Sequence, residues 1–275
     1  MTRAVGMRYV MGTFLTVETF GADSKNVERG RDAIFGEIQR LDELLSIYRP
    51  ESEISRINQA AGLRAIRVSP QTFDVIERAC RYARLSVGAF DPTAQRLGPV
   101  GRHYEAVRLN PIEQSVALPA SMRLDLGGIG KGFALDSALA RARDIPALEK
   151  IIIDFGGQLL FWTPSGAFDP VRVSIENPND RDAILSTIEI ASNGSLSTSS
   201  NAEHAEHLLD PRTGKPAEGV ISASAWAPTA TEAEVLSTAL FILGPAESAA
   251  LLKKCSGARA YIFSERSKPV AKGKT

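Results

Sequence analysis

The sequence has few cysteines and no excess of charge of either sign. Its 2 cysteines in 275 residues, Cys80 and Cys255, lie far apart and form no CxxC pair. A disulfide framework and a thiolate zinc site are therefore not expected. The 32 Lys and Arg residues balance 32 Asp and Glu residues. A dedicated nucleic-acid-binding protein usually carries a basic excess, so we expect no nucleic-acid partner.

Long apolar runs are also missing. No apolar run approaches the roughly 20 residues that span a bilayer, so we expect no transmembrane segment. The first ten residues, Met1–Val10, contain no apolar signal core. The chain as given is therefore expected in the cytoplasm, whereas a removed signal segment would make it periplasmic or exported.

What the sequence does contain is typical of a globular domain. Apolar residues make up 44% of the chain, enough for a large core. No composition break marks a linker, so we expect a single domain over residues 1–275 with a frayed tail from about Ser264. Helical and strand patterns alternate without a regular βαβ rhythm, which predicts a mixed α+β fold.

Hydrophobic spacing and capping residues predict the individual elements. The expected helices are Lys25–Tyr48, one that begins at Ser69 and Pro70, Phe133–Arg143, Thr231–Leu243 ended by Gly244, and Ala246–Lys254. The expected strands are Val10–Phe20, Met122–Leu126, Lys150–Asp154, Val171–Ile175, Thr187–Ile190 and Arg259–Phe263.

A glycine-rich segment between a predicted strand and a predicted helix is the most informative motif. It contains Gly127, Gly128, Gly130 and Gly132, with Lys131 between the last two. Glycines there let backbone amides approach an anion, the helix N-terminus adds positive potential, and an exposed lysine would add a full charge. No Ser or Thr follows the lysine and the spacing is not GxGxxG, so neither common nucleotide motif applies. A tight turn that requires positive φ is an equally good explanation.

A second motif places a histidine before a turn. His207 is one of 3 histidines in the chain, and it precedes the turn sequence Asp210–Gly214. Such a turn is common in loops without any functional role. His204 and His207 have the spacing of a zinc pair, but no third strong ligand is nearby.

A third motif combines a carboxylate with hydroxyls on one predicted helix. Glu234 and Thr238 are four residues apart, so their oxygens project from the same helix face. Carboxylate and hydroxyl oxygens suit a hard cation such as Mg²⁺. Thr231 and Glu234 also have the spacing of a capping box, which would occupy the carboxylate locally. Two smaller segments, the Gly88–Thr93 turn and Tyr48 at a predicted helix end, offer aromatic and acidic side chains.

Together and in this order, these segments resemble the ApbE family of FAD:protein FMN transferases. The resemblance covers most of the chain, from Met11 to Gly244. The matching segments are Met11–Thr13, Leu44–Asn58, Gly88–Thr93, Leu124–Asp136, Asp154–Gly157, Ser197–Ser200, His207–Gly214 and Thr238–Gly244.

The resemblance implies a T-fold-like α+β body that binds FAD in a cleft with Mg²⁺ at its pyrophosphate. The implied FAD contacts are Met11, Tyr48, Ala89, Phe90, Asp91, Asp125, Lys131 and Leu208. The implied metal ligands are the Gly128 carbonyl, Glu234, Ser237 and Thr238. The chain departs from the family pattern at Glu234, where aspartate is usual, and at Ser200, where glycine is usual.

The implied activity is Mg²⁺-dependent transfer of FMN from FAD to a Thr or Ser hydroxyl of a target flavoprotein, an electron-transfer subunit, with release of AMP. His207 titrates in the range that suits a catalytic base for the incoming hydroxyl. Two alternatives remain open at this point. One is a Mg²⁺-dependent FAD pyrophosphatase, in which water replaces the hydroxyl, and the other is a non-catalytic FAD-binding protein that carries electrons.

Overall fold

The computed structural model describes residues 1–93, 103–200, 209–264 and 270–271. The helices are α1 (Ser24–Leu45), α2 (Glu53–Gln59), α3 (Pro70–Leu85), α4 (Gly130–Ala142) and α5 (Ala230–Leu252), with a 3-10 helix at His103–Ala106. The strands are β1 (Thr2–Val10), β2 (Thr13–Gly21), β3 (Ile66–Arg67), β4 (Arg108–Asn110), β5 (Ser115–Ala117), β6 (Leu148–Phe155), β7 (Gln158–Trp162), β8 (Ala167–Asn177), β9 (Asp180–Ser192), β10 (Gly194–Ser200), β11 (Leu209–Asp210), β12 (Lys215–Pro216), β13 (Val220–Ala227), β14 (Arg259–Ser264) and β15 (Val270–Ala271).

A seven-stranded antiparallel sheet in the order β1-β2-β6-β7-β10-β13-β14 is the frame of the protein. Helix α1 packs on β1 and β2, α5 packs on β10 and β13, and α4 contacts both helices. The main core lies between these helices and the sheet. A second apolar cluster, which includes Phe161, Leu196 and Trp226, joins the sheet to the β8–β9 hairpin. This architecture confirms the mixed α+β prediction.

The N-terminal strand prediction was wrong in extent. Instead of one strand over Val10–Phe20, the chain forms a hairpin in which Val10 pairs with Thr13. Met11 (φ 48°) and Gly12 (φ 79°) form the turn between β1 and β2. A two-residue hairpin turn with positive φ at both positions matches the twist of the strands. Methionine is not typical of such a turn, so the residue types do not predict it.

The strand predicted at Met122–Leu126 is also wrong, because this segment pairs with no strand. Its backbone bonds a side chain instead. The Leu124 N–H donates to Asn58 Oδ1 at 2.7 Å, and Asn58 Nδ2 donates to the Leu124 carbonyl at 2.9 Å. The Asn58 side chain of α2 thus satisfies both backbone hydrogen-bonding groups of Leu124, in the extended segment that enters the glycine-rich loop.

The helix predictions are confirmed in their main features. The Ser69 hydroxyl caps α3 by accepting from Thr72 N, and Pro70 lies in its first turn, as the sequence indicated. Gly244 interrupts α5 with φ 63° and ψ −179°. The prediction missed α2 and, in the seven-stranded sheet, the strands β7, β10 and β13. In the tail, Val270 pairs with Ile184 of β9.

Helix α5 bears on the expectation of no transmembrane segment. In length and composition, Ala230–Leu252 is apolar enough to cross a membrane. Half of its most apolar window is buried inside the protein, and the core helix of a globular domain meets the same criteria. The helix is therefore weak support for a membrane span.

Helices α4 and α5 approach each other closely at a glycine. A Cβ atom added at Gly132 of α4 would lie 2.3 Å from the carbonyl oxygen of Ala230, the first residue of α5. No side chain fits against a backbone atom at that distance. Gly132 therefore sets how near the start of α4 lies to the start of α5.

Replacement of Gly132 by alanine tests this contact. We expect Gly132→Ala to lower the free energy of unfolding by about 3 kcal/mol, because the clash is with backbone rather than with a flexible side chain. Gly36→Ala in α1 is the matched control, since its Cβ would meet nothing within 4 Å. Alanine should raise stability there by roughly 0.5–1 kcal/mol. Equal effects of the two changes in urea denaturation would contradict the close approach.

Candidate functional site

Three segments that carry separate sequence motifs meet at the start of α4. A Cβ atom at Gly128 would lie 3.1 Å from Cε2 of Phe90 and 3.6 Å from Oγ1 of Thr238. The glycine-rich loop therefore lies between the Gly88–Thr93 turn and helix α5. This is the candidate site.

The Glu234 carboxylate points from α5 to the N-terminus of α4. Its Oε2 atom accepts from the Gly132 N–H at 2.8 Å, and its Oε1 atom accepts a short hydrogen bond from Lys131 Nζ. The side chain of Glu234 is 4% exposed and that of Lys131 is 27% exposed. Because Ile129 gives α4 no side-chain cap, Glu234 supplies the negative charge that stabilises this helix N-terminus.

These contacts overturn two expectations. The capping box at Thr231 and Glu234 does not form, because Thr229 caps α5 by accepting from Glu232 N at 3.2 Å. Lys131 is not simply exposed in a turn, because it forms an ion pair with the buried carboxylate of Glu234. The lysine of the glycine-rich motif and the carboxylate of the α5 motif thus form one ion pair.

Asp136 fixes the start of α5 against α4. Its carboxylate accepts from Ala230 N at 2.8 Å, Thr231 N at 2.9 Å and Thr231 Oγ1 at 2.5 Å. Burial raises the pKa of Asp136, and these hydrogen bonds act in the opposite direction. On the other side, Gln158 Nε2 of β7 donates to the Ala230 carbonyl at 2.8 Å. The sequence motif included Asp136, but its spacing gave no sign of this role.

Hydroxyl groups from β10 line the same part of α5. Ser199 Oγ lies 3.0 Å from Ser237 Oγ and 3.5 Å from Thr238 Oγ1. Ser237 Oγ also lies 2.9 Å from the Glu234 carbonyl and 3.2 Å from Ser197 Oγ. The two predicted metal-binding hydroxyls therefore belong to a larger group of oxygens, of which Ser197 and Ser199 carried no predicted role.

The predicted acidic contacts have local partners. Asp125 accepts from the Gly127 N–H at 2.8 Å, and its own N–H donates to the Pro92 carbonyl at 2.8 Å. Asp91 Oδ1 accepts from Thr93 N and from Thr93 Oγ1. Burial raises the pKa of Asp91, against the lowering effect of the Thr93 hydrogen bonds. Both carboxylates thus shape the loops that carry Ala89, Phe90 and Gly128.

The remaining predicted residues are more dispersed. The Tyr48 side chain is 89% exposed, so its ring is free to stack on a ligand. Met11 lies in the β1–β2 turn and is partly buried. His204, His207 and Leu208 lie outside the described residues. The structure therefore adds nothing to their predicted roles.

The donor atoms at the site fit a hard cation. Within residues 1–93, 103–200, 209–264 and 270–271, no group of three or more His, Cys, Asp or Glu side chains could hold a metal. The site instead offers one buried carboxylate with hydroxyl oxygens, which suits Mg²⁺ better than zinc. The carboxylate already holds a cationic group, the Lys131 ammonium, so a positive charge is accommodated beside it.

The fold and this site together place the N-terminus of α4 beside a buried carboxylate, so that groups suited to an anion and to a cation lie side by side. The family model of the ApbE family matches residues 11–263. The chain therefore belongs to the ApbE family.

Similar proteins carry consistent descriptions. A Klebsiella pneumoniae protein described as FAD:protein FMN transferase is 28% identical, over 89% of this chain and 79% of its own. A Treponema pallidum protein of the same description is 28% identical, over 94% and 83%. The crystal structure of the ApbE protein from Thermotoga maritima has a TM-score of 0.83 and 26% identity, over 98% of this chain and 97% of that one. The structure of the flavin transferase ApbE from Vibrio cholerae, 21% identical with a TM-score of 0.79 over 98% and 97%, shares the fold.

Removal of the Asp136 carboxylate tests whether it holds α5 in place. We expect Asp136→Ala to lower the free energy of unfolding by about 2–3 kcal/mol, because buried donors at Ala230 and Thr231 lose their acceptor. Asp169→Ala, at an exposed position of β8, should change stability by less than about 0.5 kcal/mol. Thermal or urea unfolding measures both. Similar small effects would contradict the proposed anchoring.

Proposed function

We propose that this protein transfers FMN from FAD to a Thr or Ser hydroxyl of a target flavoprotein, with Mg²⁺ as its metal and AMP as the second product. The observation that carries the proposal is the meeting of the Gly128 loop, Lys131 and the Glu234–Thr238 face at one helix N-terminus. A pyrophosphate needs this combination of amide, ammonium and metal-binding oxygens. The curated relatives described as FAD:protein FMN transferases support the same activity.

The chemistry is a phosphoryl-type displacement. The acceptor hydroxyl oxygen forms a bond to the FMN phosphorus, and the bond from that phosphorus to the bridging oxygen breaks, so that AMP leaves with the electron pair. The hydroxyl proton passes to a base, for which we propose His207. Such a reaction depends on positioning and charge neutralisation more than on covalent help from the protein.

The residues of the chain have separate tasks in this proposal. Lys131 and the positive end of the α4 dipole neutralise the phosphate oxygens. Glu234, Ser237, Thr238 and the Gly128 carbonyl would hold Mg²⁺, which when bound stabilises negative charge on the phosphates. The ring systems of FAD are contacted by Met11, Tyr48, Ala89 and Phe90. The adjoining loops are shaped by Asp91 and Asp125. Leu208 completes the contacts implied by the resemblance.

Mass spectrometry of an acceptor protein tests the activity directly. The protein is incubated with FAD, Mg²⁺ and a threonine-containing domain of an electron-transfer flavoprotein subunit, with the matched Thr→Ala domain as control. We expect an FMN adduct on the threonine domain alone, together with AMP. Free FMN and AMP without an adduct would favour the pyrophosphatase, and unchanged FAD would favour a binding protein.

The metal assignment has its own test in two site variants. We expect Glu234→Gln and Thr238→Val to raise the Mg²⁺ concentration for half-maximal FAD cleavage by about tenfold or more, because each removes a proposed ligand. Glu247→Gln on the same helix is the control, since its exposed carboxylate pairs with Arg212 at 2.8 Å. If FAD cleavage depends on Mg²⁺ concentration identically in wild type and all three variants, the metal does not bind at this helix.

A further inference from the structure

The Glu234 carboxylate has both of its oxygens in use. Oε1 accepts from Lys131 Nζ and Oε2 accepts from the Gly132 N–H. A metal ion at Oε1 would have to share that oxygen with an ammonium group. Two cations in such contact repel each other strongly in a buried place. The Lys131 ammonium and a metal ion at Oε1 therefore exclude each other.

We propose that the Lys131–Glu234 ion pair keeps the metal site closed until a nucleotide pyrophosphate draws the lysine away. The inference rests on the proposed function in one respect, namely that phosphates bind at the start of α4. Metal and nucleotide then bind with positive coupling. The ion pair therefore favours binding of the nucleotide before binding of the metal.

The structure indicates which partner moves. Glu234 is held in place, since its side chain is 4% exposed and Gly132 N–H binds its second oxygen. Asp136 also fixes the first residues of α5 through Ala230 and Thr231. Lys131 is more accessible, with 27% of its side chain exposed, and its flexible stem lies at the helix start. The lysine is therefore the mobile member of the pair.

The charges favour the exchange. Both the carboxylate and a pyrophosphate attract the ammonium group, and the α4 N-terminus favours an anion close by. Once the lysine binds phosphate, Oε1 is a free carboxylate oxygen, and the Thr238 hydroxyl projects from the same helix four residues further along. A divalent cation compensates the carboxylate in place of the ammonium. Each ligand thus removes the obstacle to the other.

Metal binding without catalysis tests the proposal. Mn²⁺ is the metal probe, measured by electron paramagnetic resonance of the free ion, and ADP is the nucleotide probe. For the wild-type protein, we expect ADP to lower the Kd for Mn²⁺ by about tenfold. Lys131→Met should bind Mn²⁺ without ADP about tenfold more tightly than wild type and gain little from ADP. Lys25→Met removes the same charge from an exposed position of α1 and should behave as wild type.

Equal Mn²⁺ affinity of wild type and Lys131→Met in the absence of ADP would overturn the proposal. If circular dichroism shows that Lys131→Met does not fold, nuclear magnetic resonance of the wild-type protein decides. Its lysines are labelled by reductive ¹³C-methylation, and Lys131→Arg, which keeps the charge, identifies the Lys131 signal. We expect ADP with Mg²⁺ to shift that signal, and an unmoved signal would contradict displacement of the lysine.

These measurements separate the inference from the proposed function. Coupled binding of Mn²⁺ and ADP without any FMN adduct in the transfer assay would reject FMN transfer and leave the exclusion intact. An FMN adduct without such coupling would reject the exclusion alone.

Discussion

The contact of α4 with α5 at Gly132 is the constraint on which the site depends. The Ala230 carbonyl occupies space that any side chain at position 132 would need. Asp136 accepts a hydrogen bond from the Ala230 N–H, and Gln158 donates one to the Ala230 carbonyl. Because the helices start so close together, the Glu234 carboxylate in the first turns of α5 reaches the Gly132 N–H of α4.

This geometry gives one carboxylate two roles. Glu234 stabilises the helix N-terminus that Ile129 leaves without a side-chain cap, and it is the acidic member of the proposed metal site with Ser237 and Thr238. The length of the glutamate side chain brings Oε2 to within 2.8 Å of the Gly132 N–H. Glu234 therefore ties α5 to α4 as well as placing an acidic group at the site.

The sequence predicted the parts of the site better than their connections. Helix starts with strong caps, such as Ser69 with Pro70, were readable because the signal is local. The glycine-rich loop and the Glu234–Thr238 pair were identified as candidates for the same reason. Their partnership depends on Asp136 and Asn58, which act on backbone groups far away in the chain. No spacing within one segment reveals such contacts.

Two segments in which a local pattern is not followed show the same limit. The capping box at Thr231 had correct local spacing, but Asp136 binds Thr231 and Lys131 binds Glu234. The strand at Met122–Leu126 had correct β-forming residues, but the Asn58 amide takes the place of a strand neighbour. In both cases a distant side chain competes successfully with the local pattern.

The distance along the chain between these partners also has a consequence for folding. Glu234 and Gly132 are 102 positions apart, and Asp136 and Ala230 are 94 positions apart. Contacts of such long range pay a loop-closure entropy before they contribute stability, so they form late. On the ribosome, the first turn of α4 emerges long before the segment that caps it. The nascent chain therefore has no complete site until α5 has been synthesised and has docked.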